Sequence, residues 1–200
     1  MRNRFLRYLT AMLGTLGLVL AAGWFFVLPG MERSIAGDFG RGDYVLAATD
    51  GTVFTEKTLA GSPSAVFFGF THCPEVCPTT LSDIAQWQEQ LGNAGPIRVF
   101  FVTVDPARDT ADLLADYVGW VPGVTGVTGS QEEIDKAIRA FRVYARKVPL
   151  SGGGYTMDHS ANILLFDAKG RLFEPIGYQE DYDRVMAKLR RLLGGLPAAA

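Results

Sequence analysis

Hydrophobic and polar positions fall into three kinds of run along this chain. The first is a stretch of 21 residues, 8–28, without a single charge, preceded by Arg2, Arg4 and Arg7 and closed by Pro29-Gly30. At 1.5 Å per helical residue it would span about 31 Å, the thickness of a bilayer's hydrocarbon core. Trp24, Phe25 and Phe26 stand near its far end, where an interfacial aromatic belt would lie. The small residues Ala21 and Gly23 also allow a cleaved signal peptide. Cleavage after Gly23 would leave an apolar run at the mature terminus, so an uncleaved anchor is the expectation. No Cys stands directly after the stretch, which excludes a lipoprotein. The arginines predict an N-terminus held in the cytoplasm and an exported remainder. The organisation expected is a cytoplasmic N-terminus 1–7, an anchor 8–28, a linker 29–42, a folded domain 43–195 and a tail 196–200.

The second kind of run is short and apolar throughout, as in 65–70 (AVFFGF) and 97–105 (IRVFFVTVD), the signature of strands covered on both faces. The third repeats at helical spacing. Pro78 suits the first residue of a helix continued by Leu81, Ile84, Ala85, Gln88 and Leu91 and stopped by Gly92. A short helix is expected over 110–118. Ser130 and Glu133 form a capping box ahead of Ile134, Ala137, Ile138, Phe141 and Tyr144. Segments 44–48 and 52–54 flank Asp50-Gly51 as a small hairpin. Segments 163–167 and 171–176 straddle Ala168-Lys169-Gly170 as another, and 181–193 closes the domain as a helix. The sum is an α/β domain, one sheet with helices on both faces.

Composition narrows the chemistry. Of 200 residues 48% are hydrophobic and 20% charged, which excludes disorder, and a net charge of −2 gives no basic excess for a nucleic-acid backbone. The only cysteines are Cys73 and Cys77, and the only histidines His72 and His159. A Cys₄ zinc module and a disulfide-rich scaffold are therefore excluded. Both cysteines lie in Phe70-Thr71-His72-Cys73-Pro74-Glu75-Val76-Cys77-Pro78, between the buried strand and the Pro78 helix. Cys77 is expected near that helix's N-cap, where partial positive charge favours a thiolate.

Three readings of the pair stand side by side. A structural disulfide would close a loop of only three intervening residues and remove little chain entropy. A dithiol–disulfide redox pair is the second. The third is a metal site completed by a histidine, in which two thiolates and an imidazole suit Cu(I) by softness, zinc remaining open. Spacing leaves both histidines in play. His72 abuts Cys73, and neighbours on an extended segment point apart. His159 is expected in a loop, 155–160, after a glycine run and before a strand.

The stretch Phe68-Gly69-Phe70 through Cys77-Pro78, then Val102-Thr103-Val104-Asp105-Pro106 with Arg108-Asp109-Thr110, then Asp158-His159-Ser160, resembles the Sco/SenC family. These are membrane-anchored, thioredoxin-like proteins that help assemble the Cu(A) centre of cytochrome c oxidase. The resemblance covers roughly residues 44–193, and its C-x₃-C between two prolines is distinctive, because ordinary thioredoxins carry C-x₂-C.

The resemblance implies a thioredoxin-like fold with a central mixed sheet, behind the transmembrane helix. It implies that Cys73, Cys77 and His159 bind copper, Cu(I) or Cu(II), with His72 outside the set. It also implies that Asp105 lies near the metal, supporting the ligands or docking a partner; a strand-end turn residue ahead of Pro106 is the plain alternative. Arg108 and Asp109 are expected to form a local charge pair on the surface. The function implied is a copper metallochaperone rather than an enzyme. Its partners would be the oxidase subunit carrying Cu(A), a copper donor and a thioredoxin-like reductase. The alternative is a thiol–disulfide oxidoreductase or redox sensor using Cys73 and Cys77. The location expected is the inner membrane, single-pass, with the soluble domain in the periplasm and no nucleic-acid partner.

Overall fold

The computed structural model describes residues 2–24, 38–92 and 97–194. The chain divides into two units, Met1–Gly37 and Asp38–Ala200. In the first, helix α1 runs Arg2–Ala22. It begins six residues before the expected anchor, because the arginine-bearing turns join the helix instead of preceding it. No helix among the described residues is long and apolar enough to cross a membrane. Residues 25–28 of the expected span, most of the linker and the tail lie outside the described residues.

The second unit is built on a seven-stranded mixed sheet of order β2-β1-β5-β4-β3-β8-β9. Its strands are β1 (Leu46–Ala48), β2 (Val53–Phe54), β3 (Ser64–Gly69), β4 (Arg98–Thr103), β5 (Val124–Thr128), β8 (Ile163–Phe166) and β9 (Leu172–Ile176). The central three, β3, β4 and β5, are parallel, and β1 and β8 join them antiparallel. Both predicted hairpins are present.

Every residue of β3 is buried, and the reason is alternation between two cores. Phe67 of β3, Phe101 of β4 and Leu165 of β8 face one layer of helices. That layer is α2 (Val76–Leu91), α3 (Ala111–Val118) and α5 (Tyr182–Leu192), which supply Leu81, Leu114 and Leu189. Phe68, Val102 and Leu164 face the opposite side, against Ile134 of α4 (Gln131–Ala140) and the ring of Phe141. Helices therefore cover both faces, as the apolar runs predict.

Four local readings differ. Helix α2 starts at Val76, so Pro78 is its third residue and Cys77 its second. Proline is tolerated there because the first N–H groups of a helix have no intrahelical acceptor in any case. Only half of the capping box forms. Ser130 accepts from the Glu133 N–H, but the Glu133 carboxylate accepts from Val45 N at 2.6 Å and pairs with Lys136. Strand β5 appears where none is expected. Its Gly126 lets the strand pass close to α3, since a Cβ there would lie 3.0 Å from the Leu114 Cβ. Finally, the expected loop around His159 is a strand. β6 (Ala145–Pro149) and β7 (Tyr155–His159) form a separate antiparallel hairpin, which among the described residues pairs with no other strand and has register Ala145↔His159.

Candidate metal centre

The chemistry gathers beyond the carboxyl ends of β3 and β4, the usual position for a ligand site in a parallel sheet. β3 ends at Gly69 and the chain turns through residues 70–75 into α2. A Cβ on Gly69 would stand 2.8 Å from the Cys77 sulfur and 2.7 Å from the Phe101 ring, so only glycine leaves this sulfur its place against the strand. Cys77 is 0% exposed, inside the first core, whereas Cys73 is half-buried and packs against both cores at the end of the sheet.

The two thiols are unequal. Glu75 occupies the N-cap of α2, but its side chain caps nothing. The Cys73 sulfur takes that role, accepting from Cys77 N at 3.4 Å. The Cys77 thiol donates to Cys73 first of all, and the backbone N–H groups of Cys77 and Glu75 add to it; together they outweigh burial and draw Cys73 down to about 4. The same hydrogen bond, with burial, pushes Cys77 up. The reduced pair is thus one thiolate, Cys73, beside one thiol, Cys77.

His159 closes the group from the hairpin. Its Nδ1 lies 2.9 Å from the Ser160 carbonyl. A carbonyl only accepts, so Nδ1 carries the proton and Nε2 presents its lone pair. That Nε2 lies 3.8 Å from the Cys77 sulfur. The ring is framed edge-on by Phe70 and Phe67, at centroid distances of 5.7 and 6.5 Å. The ligand atoms of Cys73, Cys77 and His159 all lie within 4.8 Å of one another. A trigonal ion with bonds of about 2.0–2.3 Å holds its donors about 3.7–4.0 Å apart, so closure asks for roughly 1 Å.

His72 is not part of this group. It is half exposed, with Nδ1 3.0 Å from Thr71 Oγ1 and 3.9 Å from an Asp109 oxygen. The expected surface pair of Arg108 and Asp109 does not form either. Asp109 is 0% exposed and accepts from Thr71 N at 3.1 Å, Thr71 Oγ1 at 2.6 Å and Thr103 Oγ1 at 2.6 Å. A buried carboxylate needs such donors, and here they tie the cysteine loop to β4. Arg108 turns instead to Asp105, itself 2% exposed, and Asp105 also accepts from Tyr155 Oη at 2.9 Å. Asp105 thus holds Tyr155, the first residue of the strand that carries His159. The roles of Asp109, Thr71 and Tyr155 escaped the sequence reading, because an acid ahead of a capped helix and a tyrosine after glycines are ordinary residues in such places.

Among known proteins, residues 33–194 match the family model described as SCO1/SenC. Protein SCO1 of yeast mitochondria is 34% identical over 145 residues, 70% of this chain and 49% of that protein. Yeast mitochondrial SCO2 is 32% identical over 155 residues, 74% and 51% respectively, so the chain spans about half the length of these relatives. The copper-bound structure of ScoI from Bradyrhizobium japonicum superposes with a TM-score of 0.70 at 38% identity, covering 77% of this chain and 99% of that one. Copper-bound yeast Sco1 gives 0.71 at 30% identity, covering 81% and 92%. With the cysteine pair, the histidine hairpin and the mixed sheet all accounted for, the chain belongs to the SCO1/SenC family.

Proposed function

We propose that this protein is a copper-binding metallochaperone that assists assembly of the Cu(A) centre of cytochrome c oxidase, holding copper through Cys73, Cys77 and His159. One observation carries the reading: two sulfurs and an imidazole nitrogen converge within 4.8 Å at the end of a buried sheet. Two soft sulfurs suit Cu(I), and the imidazole extends the set towards Cu(II). Copper is cargo here. Its uptake requires both sulfurs as thiolates, so binding displaces the proton held by Cys77. The copper named for the B. japonicum and yeast structures supports the same ion. The oxidase subunit carrying Cu(A), a copper donor and a thioredoxin-like reductase are the partners of this reading. We also propose that the uncharged stretch 8–28 anchors the chain in the inner membrane with the domain in the periplasm. Retention in the membrane fraction after carbonate washing is the expected result.

Metal analysis of the reduced full chain tests the main reading. One Cu per chain is expected, falling to near zero after oxidation to the Cys73–Cys77 disulfide, because a disulfide offers no thiolate. Equal uptake by oxidised and reduced protein would overturn it. A thiol–disulfide oxidoreductase is the second reading, favoured by the contrast between an acidic, half-buried Cys73 and a buried Cys77 thiol. Such an activity does not need the imidazole, so undiminished function of His159→Ala would select it.

A further inference from the structure

We propose that the turn 105–109 is a bracket joining the two halves of the metal site, and that Arg108 and Tyr155 are positioning residues for His159. The inference rests on the copper reading above. The turn is closed by Arg108 N and Asp109 N, which donate to the Asp105 carbonyl at 3.1 and 3.0 Å. Its two acidic side chains point to different arms. Asp109 holds Thr71, two residues before Cys73. Asp105 holds Tyr155, which opens the strand that His159 closes.

The grip on Tyr155 is threefold. Its hydroxyl donates to Asp105, and its carbonyl accepts from Arg108 Nη1 at 3.1 Å. Its ring lies under the Arg108 guanidinium, 3.9 Å from the centroid, while the Arg108 Nε pairs with Asp105. The guanidinium also stands 5.8 Å from the centre of Phe70, the ring whose edge meets His159. Arginine's planar fork can stack and donate in two directions at once, which a lysine cannot. A two-stranded hairpin is marginally stable alone, and β6–β7 pairs with no other described strand. Its position is therefore set where it is tied. The Ser160–Tyr144 pair, with Ser160 N donating to the Tyr144 carbonyl at 2.9 Å and Tyr144 N to Ser160 Oγ at 3.0 Å, only extends the hairpin's own ladder. Ala145 and Met157 pack against the second core, and a polar tie is the grip of Asp105 and Arg108 on Tyr155. That grip acts on the strand of His159, whereas Asp109 acts on the cysteine loop.

Loosening the Arg108–Tyr155 arm of the bracket should consequently act on the imidazole and spare the sulfurs. Cu(II) and Cu(I) affinities are compared by competition with chromophoric chelators on the reduced full chain, for the parent, Arg108→Lys, Tyr155→Phe, His159→Ala and the Arg108→Lys/His159→Ala double variant. Groups that orient a metal-bound histidine are worth about 10–100-fold in affinity, so Arg108→Lys should weaken Cu(II) by about tenfold or more. Tyr155→Phe should do so by less, and Cu(I) should stay within about threefold in both, following the preference of Cu(I) for the sulfurs. The double variant should bind Cu(II) no more weakly than His159→Ala alone, as two changes acting through one group are not additive. Without metal, amide exchange in β6 and β7 should quicken in Arg108→Lys while β3 and β4 keep their protection. Unchanged Cu(II) affinity in Arg108→Lys, a loss that adds in full to that of His159→Ala, or faster exchange throughout the sheet would overturn the bracket while leaving the copper reading intact. Parent-like Cu(II) affinity in His159→Ala would overturn both.

Discussion

The two arms of the metal site are built to different standards. Cys77 is fully enclosed, on a 16-residue helix whose apolar face lies on the central sheet. His159 ends a five-residue strand that is half exposed along its length and pairs with one other strand. The Cys77 sulfur sits on a helix locked against the central sheet, whereas the imidazole, though edge-on to Phe67 and Phe70, is carried by a half-exposed hairpin that pairs with no other described strand. A site of this kind has a fixed floor and an adjustable wall. The fixed part suits tight retention of a soft ion, and the adjustable part suits a ligand that must arrive or leave.

The sharpest test of that contrast removes one ligand from each arm. Cys77→Ser should abolish measurable binding of both copper oxidation states, because one thiolate and one imidazole remain. His159→Ala should weaken Cu(II) binding severely, to a residual level that competition still reads, and cost Cu(I) far less, since two thiolates satisfy the softer ion. Competition titrations read both, and an equal loss of Cu(I) in the two variants would erase the distinction between the arms. A smaller effect is expected at the joint. Asp109→Ala strands the Thr71 amide and the hydroxyls of Thr71 and Thr103 in a buried place, and should destabilise the domain by about 2–4 kcal/mol in urea unfolding. Because the tie leads to the cysteine loop, Cu(I) uptake should suffer as well. The mildest probe is alkylation of the apo protein. The Cys73 pKa is lowered, so its thiolate is already present at neutral pH and is lost only as pH falls through about 4. Its reaction with iodoacetamide should thus be nearly flat from pH 8 to pH 5 and fall below that. Cys77, raised and enclosed, should stay unlabelled in the folded chain. A rate that climbs steeply between pH 7 and 9 would deny the pairing of thiolate and thiol.

The same contrast governs what the sequence disclosed. Strands β3 and β4 are apolar throughout because both faces are covered, and helices α2 and α4 repeat at helical spacing because one face is buried. Each left its period in the residues. The β6–β7 hairpin has no such cover: Arg146, Lys147 and Asp158 are exposed, and the strands read as polar loop. Strand β5 is short and interrupted by Gly126, so its alternation is too brief to register. Motif spacing isolated Cys73 and Cys77 and left both histidines in play; the family resemblance singled out His159, which the fold brings to the pair from 82 residues beyond Cys77. Asp109 was misassigned to a surface pair because its importance lies in three donors that converge only after folding. Arg108, adjacent to it in sequence, was misread as its partner for the same reason.

Gly69 carries a consequence of its own. No side chain stands between the Cys77 sulfur and the backbone of the central strand, so an ion held there would rest almost on the framework of the domain. Cargo bound only by the folded form raises the free energy of unfolding with its occupancy. The melting temperature of this domain would then serve as a gauge of how many molecules are loaded. On the copper reading, release of that cargo need not pass through unfolding, so delivery and denaturation would be separable events.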